Sequence, residues 1–453
     1  MTQELYFNGE RVDLSPNEEV TLQYRSNIFG DIDKITSSNS LTIRLPKTPN
    51  NNRIMNFSDV PFMQGIARQW YNASYIRNGV PLVNGRAALL SASREYYEIC
   101  LVWGLFDKLE QFLKTEKTLR DLPLNFPVQL KHYSLDVFSD TKVPYGLLYY
   151  YNGGQRYAFP VVIISIIFSR ILLGISNAAG STIGTSKVDI RQLENYYLNF
   201  NDNLVDELVQ ANNEPTFVIK DWIPAIKVMD FFKGICHFMG WYIEIQQNGL
   251  ELVDFEYATD KSNAVNWSDK LASVADVPET IEFQYGDYAQ HNWMRYKPDD
   301  SIAYPTNADG SVDVEDTTID VDKTLFTLPF AASYKDEIIQ YRTVLNDDGA
   351  PEIEFIKTEP RIMKIITENV TKPYLSFTDD MKFPSIIANR YSKYSEMMSK
   401  PTVINVRLKL TEFDLVSLDF TRPVYIAQYG SYFSIIEIQS SGYICNAKLI
   451  KLN

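Results

Sequence analysis

Histidine and cysteine are scarce in this 453-residue chain, with three of each. Cys100, Cys236 and Cys445 stand far apart and form no Cys-x-x-Cys pair. That spacing speaks against a disulfide framework or a zinc site and fits buried thiols in a chain made in a reducing cytoplasm. His132, His237 and His291 build no His-Glu-x-x-His motif, and the chain also lacks a Gly-x-Ser-x-Gly elbow, a Walker loop and a dinucleotide-binding glycine pattern. Long apolar runs are missing too. The most apolar stretch, Val161 to Ile175, carries Arg170 inside it and falls short of the roughly 20 residues that cross a bilayer. The expectation is a buried helix started after Pro160, and no membrane span. Met1-Thr2-Gln3-Glu4 has neither the basic region nor the apolar core of a signal peptide, so export by the usual route is not expected. Positive charge is in deficit: 43 Lys and Arg against 57 Asp and Glu leave a net charge of −14. Gripping nucleic acid needs clustered cations, so that role is disfavoured, whereas an acidic wall would let DNA pass without sticking.

What is present reads as a globular chain of about two to four domains. Apolar residues make up 45% and charged residues 22%, which excludes a disordered or fibrous chain. Aromatics reach 13%, with 29 Tyr and 25 Phe, a composition suited to strands and subunit interfaces. Asn-Gly occurs at Asn8, Asn78, Asn84, Asn152 and Asn248. Both residues tolerate the positive φ of a type I′ turn, so each dipeptide between apolar runs predicts a hairpin. Strands are expected at Val20–Tyr24, Ser40–Leu45, Val80–Leu90 and Tyr96–Leu105, and the alternation in Leu41-Thr42-Ile43-Arg44-Leu45 suits a sheet with one buried face.

These patterns divide the chain into a β-rich N-terminal domain (1–110), a middle mixed domain with the buried helix (111–215), a helix-plus-hairpin module (216–258) and a β-rich C-terminal domain (259–453). In the middle domain, Gly153-Gly154 and Gly174–Ser186 read as loops or breaks. In the module, Asp221 is the expected N-cap of a helix with Pro224 in its first turn and Gly240 at its end. A hairpin follows, Trp241–Gln246 and Leu250–Phe255 around Asn248-Gly249. Further on, Thr411 to Asp414 matches a capping box, and the last strands are expected at Pro423–Gln428, Tyr432–Gln439 and Tyr443–Leu452. No solenoid repeat is visible.

Candidate chemistry is thin. Cys236 and His237 are adjacent on the expected helix and would point about 100° apart, so they read as core residues rather than a thiol–imidazole pair. Asn307-Ala308-Asp309-Gly310 resembles the middle of an EF-hand loop, but placing Gly310 at position six puts Pro305 at position one, where a ligating side chain is needed. Asp347-Asp348-Gly349 fails likewise, with Val344 at position one. Both stretches read as solvated acidic loops, Asn307–Asp316 and Asn346–Pro351. Paired carboxylates for glycoside cleavage are a matter of spatial separation, and 57 acidic residues make chance pairs plentiful. The expectation is therefore no catalytic residues, no cofactor-binding residues, no metal ligands and no cofactor.

Leu5-Tyr6-Phe7-Asn8-Gly9-Glu10-Arg11-Val12-Asp13-Leu14, then Ile43-Arg44-Leu45-Pro46-Lys47-Thr48-Pro49-Asn50-Asn51, resembles the start of a family of tail proteins from Bacteroidetes phages and prophages. Gly79-Val80-Pro81-Leu82-Val83-Asn84-Gly85-Arg86-Ala87 and Leu418-Asp419-Phe420-Thr421-Arg422-Pro423-Val424-Tyr425-Ile426 continue the likeness. The module Ile226–Phe255 is similar to a piece common in tail and baseplate hub proteins. This resemblance implies an α+β, mainly β fold, with two hub-type β-barrel domains and inserted α+β modules. It also implies a homo-oligomer, a trimer whose six barrels ring a DNA channel, with the tail tube, spike or tip and tape-measure proteins as partners. The expected place is the virion, after assembly in the host cytoplasm. A distal tail ring or a receptor-binding tail component is the alternative within that class. A glycan- or peptidoglycan-cleaving tail enzyme and a carbohydrate-binding module are the alternatives outside it.

Overall fold

In the computed structural model, the first Asn-Gly dipeptide turns the chain as its residue types demand. Asn8 (φ 50°) and Gly9 (φ 85°) join β1 (Gln3–Phe7) to β2 (Glu10–Val12). The structure describes residues 2–16, 18–29, 38–60, 69–104, 116–124, 127–129, 145–152, 155–199, 216–218, 223–245, 249–272, 278–299, 305, 307–333, 341–355, 358–367 and 374–452. Next come β3 (Leu22–Arg25), β4 (Ser38–Ser40), β5 (Ile43–Pro46) and α1 (Pro49–Ile54). The single strand expected over Ser40–Leu45 is thus two, parted where the register against β8 shifts by one residue between Asn39↔Val102 and Ile43↔Ile99. The second Asn-Gly, at Asn78 (φ 50°), joins β6 (Trp70–Arg77) to β7 (Val80–Ala92), and β8 (Tyr96–Trp103) pairs back on β7. Asn84-Gly85 makes no turn. It lies inside β7, where a Cβ on Gly85 would stand 2.2 Å from the Val102 carbonyl, so this glycine serves close strand approach instead.

The middle of the chain supplies β9 (Pro127–Gln129), β10 (Tyr145–Asn152) and β11 (Gln155–Ile163), the last two an antiparallel pair around the expected turn. Gly153-Gly154 itself lies outside the described residues. The apolar run does not become helix directly after Pro160. Val161, Val162 and Ile163 complete β11 against β13 (Tyr196–Asn199), as β-branched residues favour, and α2 runs Ile164–Ala179. That helix passes through Gly174 and ends at Gly180, whose φ of 63° makes it a left-handed cap. Within the stretch read as a loop, β12 (Ile183–Lys187) is a strand. β14 (Thr216–Val218) pairs with β9.

The module's helix, α3 (Val228–Met239), starts later than expected, and Asp221 lies outside the described residues. Pro224 precedes the helix because residues 223–227 run alongside 117–119. The Leu119 N–H donates to the Ile226 carbonyl and the Val228 N–H to the Lys117 carbonyl, each at 2.9 Å. Gly240 (φ 71°) ends the helix as expected, and β15 (Trp241–Ile245) pairs with β16 (Leu250–Asp254), followed by α4 (Phe255–Ala258).

The rest comprises β17 (Val265–Asn266), β18 (Thr280–Glu282), β19 (His291–Lys297), β20 (Gly310–Asp313), β21 (Asp322–Ala331), β22 (Tyr341–Leu345), β23 (Pro351–Phe355), β24 (Arg361–Ile366) and β25 (Tyr374–Ser376). Helices α5 (Phe383–Arg390) and α6 (Ser392–Ser399) precede β26 (Val403–Lys409), α7 (Glu412–Val416), β27 (Val424–Ile426), β28 (Ser431–Ser440) and β29 (Ile444–Leu452). α7 has the capping box read from Thr411 and Asp414.

The fold is α+β and mainly β, with two cores. The larger sheet has 14 strands and runs β18-β26-β29-β28-β3-β4-β8-β7-β6-β1-β2, with β5, β17 and β27 branching off that path, so strands from both ends of the chain share it. Its inner side holds Leu5, Leu22, Tyr75, Leu101, Val406 and Leu449 in one apolar cluster. The second sheet, of eight strands, runs β10-β11-β13-β24-β21-β19-β20, with β25 paired to β24, and packs with α2, α3, α5 and α6 around the other core. Among the described residues neither sheet closes into a barrel, since the path of the larger one ends at β2 and β18. It does curl. Arg77 on β6 donates to Ser440 Oγ at the end of β28 at 2.8 Å, although five strand spacings separate them, about 24 Å in a flat sheet.

Candidate functional site

His237 sits on the buried face of α3 with its ring stacked on Phe326 of β21, centroids 4.1 Å apart and planes 9° off parallel. Cys236, beside it, is buried, and burial pushes its thiol far above the usual range. The two are core residues, as their helical spacing implied. His291 is exposed at the start of β19. Its Nδ1 lies 3.0 Å from Asp313 Oδ1, and that hydrogen bond raises its pKa. His132 lies outside the described residues. Burial also raises the thiols of Cys100 and Cys445.

The acidic stretches are ordered by their own hydrogen bonds. Residues 310–313, expected within a loop, form β20 against β19, and Asp309 Oδ1 accepts the Tyr296 N–H at 3.0 Å. Asn346–Pro351 turns the β22–β23 hairpin, with Asn346 Oδ1 accepting the N–H groups of Asp348 at 3.1 Å and Ala350 at 2.8 Å. Among the described residues no three His, Cys, Asp or Glu side chains gather as a metal site. No described helix is long and apolar enough to cross a membrane.

Sequence reading missed a cleft of about 670 Å³ where β16, α4, α6 and the end of β29 meet. Lys187 at its wall holds Glu251 at 2.8 Å, donates to Thr421 Oγ1 at 2.8 Å and lies 4.8 Å from the centre of the Tyr257 ring. Asp254 spends an oxygen on the Tyr257 N–H at 2.8 Å, and its carboxyl is raised by burial. Asp260 accepts the Ser262 N–H at 2.9 Å, while Lys393 faces Glu396 at 3.3 Å. Each of these charges works for local structure: two ion pairs and two helix caps, with Lys187 and Lys393 set against carboxylates rather than poised for proton transfer. No sequence signal could have found them, since they come from four separate segments.

The surface features with most consequence are apolar. Ile281 in β18 is 45% exposed and Phe283, two residues on, is 70% exposed. Ile281 pairs with Ile404, which is buried in the core of the larger sheet, so this edge turns the core-facing side of the sheet to solvent. Leu345 and Phe413 are each 73% exposed at other points of the surface.

No family model and no curated protein matches this chain. Among solved structures, it is similar to the 43 kDa tail protein of prophage MuSo2 from Shewanella oneidensis. The two share 10% identity and a TM-score of 0.41 over 99% of this chain and 96% of that chain.

Proposed function

We propose that this chain is a structural protein of a phage tail, carried in the virion and acting by assembly rather than catalysis. Its position is the hub: a trimeric ring that joins the tail tube to the spike or tip, contacts the tape-measure protein and surrounds a DNA channel. The class comes from the resemblance at Leu5–Leu14, Ile43–Asn51 and Leu418–Ile426. The observation that carries the mode of action is the edge at β18, open among the described residues, where core-side Ile281 and the neighbouring Phe283 face solvent. An uncovered apolar edge templates aggregation, so a chain keeps one where another subunit covers it. The acidic excess supports a channel lining that DNA slides past. A catalytic role draws no support from the described histidines and the thiols, which are buried, or paired with Asp313, or raised away from reactivity.

Electron micrographs of the purified protein or of the tail test this reading. Threefold particles with a pseudo-sixfold ring are expected. A true sixfold ring would move the chain to a tube or distal ring position, and a compact monomer at high concentration would sink the assembly role altogether.

A further inference from the structure

The outward side of β19 and its two neighbours carries side chains that stand in three rows. On β19, His291, Trp293 and Arg295 alternate with Asn292, Met294 and Tyr296, which are buried. Asp313 of β20 and Asp322 of β21 flank His291, and Ser311 and Thr324 flank Trp293 in the same way. Thr327 stands beside Arg295. The half-buried indole therefore has only short hydroxyl side chains on its flanks. Neighbouring strands lie about 4.8 Å apart, so the two carboxylates bracket a frame about 10 Å wide.

Each carboxylate is anchored through one oxygen. Asp313 Oδ1 accepts from Ser311 Oγ at 2.7 Å and lies 3.0 Å from His291 Nδ1. Asp322 Oδ1 accepts from Trp293 Nε1 at 2.7 Å, which fixes the indole. Among the described residues Oδ2 of both aspartates has no hydrogen bond or ion pair, and Arg295 has no carboxylate partner. The Arg295 guanidinium carbon stands 5.4 Å from the centre of the indole. Full contact would bring it to about 4 Å, so it does not seal the ring. The face thus combines a held aromatic ring with positioned acceptors and a guanidinium that are not used inside the chain. Two aspartates against Arg295 and a titrating His291 leave it close to charge balance, which favours neither a phosphate nor a polycation.

A neutral pyranose matches that set. Its C–H groups form an apolar face for the electron-rich face of an indole, and its rim hydroxyls donate to carboxylates and accept from a guanidinium. An anionic sugar would meet two aspartates. We propose that the β19–β21 face is a glycan-binding platform, which takes a neutral hexose unit of an oligosaccharide on Trp293 and holds its hydroxyls with Asp313, Asp322 and Arg295. An open sheet face does not enclose a single sugar, so the ligand is a chain rather than a monosaccharide. The platform goes beyond the hub reading and does not depend on it.

Isothermal titration calorimetry on the full-length chain tests it, with maltohexaose, cellohexaose and mannohexaose as neutral probes and hexagalacturonate as the charged control. Saturable binding of at least one neutral hexaose is expected, with a Kd of about 0.1–1 mM. Trp293→Ala is expected to weaken it about tenfold or more, and Trp293→Phe, which keeps a flat ring, by about threefold or less. Asp313 is exposed, so Asp313→Ala serves where circular dichroism shows that Trp293→Ala does not fold. A weakening of about fivefold is expected there. No binding of any neutral hexaose at about 10 mM overturns the proposal. Binding left unchanged by Trp293→Ala, or by Asp313→Ala in its place, overturns it too, and a preference for hexagalacturonate overturns the neutral class. If Trp293→Ala changes the oligomer in sedimentation velocity, the face is a subunit contact and the platform falls while the hub reading stands. A monomeric wild type that binds a hexaose through Trp293 would do the reverse.

Discussion

Glu244 lies in β15 with no exposed surface, its Oε2 accepting the Asn27 N–H at 3.2 Å. Burial raises its carboxyl to about 8, with Asp419 pushing the same way and the backbone N–H groups of Asn27 and Ile28 and the Lys187 charge opposing. It ties the segment after β3 to the module, where Ile28 and Phe29 enter the second core. A carboxyl whose folded value lies above its unfolded one near 4.5 favours the folded state fully below 4.5, and that contribution is lost as pH rises through 8. In that window the group lowers stability by about 1.4 kcal/mol per pH unit, up to about 5 kcal/mol in all. Glu244→Gln removes the titration. Urea unfolding of both proteins at pH 5, 6, 7 and 8 should show the variant gaining on wild type as pH rises, and a pH-independent difference would contradict the assignment. Nothing in the sequence marks Glu244 out from the other acidic residues. Its environment is assembled by Asn27, which stands 217 positions away.

At the scale of elements, local chemistry was legible wherever it acted alone. The turns at Asn8 and Asn78, the Gly240 cap and the Thr411–Asp414 capping box all stand where their residue types put them. It misled where a neighbour competed. Residues 223–227 are held by pairing with 117–119, so α3 begins at Val228. Val161–Ile163 stay in β11 because β13 offers a ladder. Asn84-Gly85 has turn chemistry but sits mid-strand, where the backbone of Val102 approaches too closely for any Cβ. Gly85→Ala must therefore push β7 and β8 apart, with an expected loss of about 2–3 kcal/mol in denaturant unfolding. The same substitution at Gly9, where a Cβ meets nothing within 4 Å, provides a control that tests only the cost of its φ of 85°. Equal losses at the two sites would refute the packing argument.

For the whole molecule, the curl of the larger sheet depends on Arg77. It is fully buried, donates to Ser440 Oγ and pairs with Glu412 Oε1 at 3.2 Å across the gap between the sheet's two arms. Arg77→Ala leaves Glu412, itself only 17% exposed, without its counter-charge and opens a void between β6 and α7. A loss of about 3 kcal/mol is expected in urea unfolding, since breaking a buried pair from one side strands the other charge. A loss below about 1 kcal/mol would mean the curl is held by the apolar core alone. The curl also sets where the path of the sheet ends among the described residues, at β2 and β18.

By itself the sequence determined the α+β, mainly β class, the two Asn-Gly hairpins of the N-terminal strands and the core standing of Cys236 and His237, because alternation, turn chemistry and helical spacing act over a few residues. Only the tertiary structure decided that both ends of the chain share one curled sheet, that Arg77 becomes its buried polar pin while Glu244 ties the segment after β3 to the module, and that Ile281 and Phe283 stay exposed at its edge. Those outcomes depend on pairings between residues hundreds of positions apart, where the apolar surface to be buried selects the partner and no local pattern records the choice.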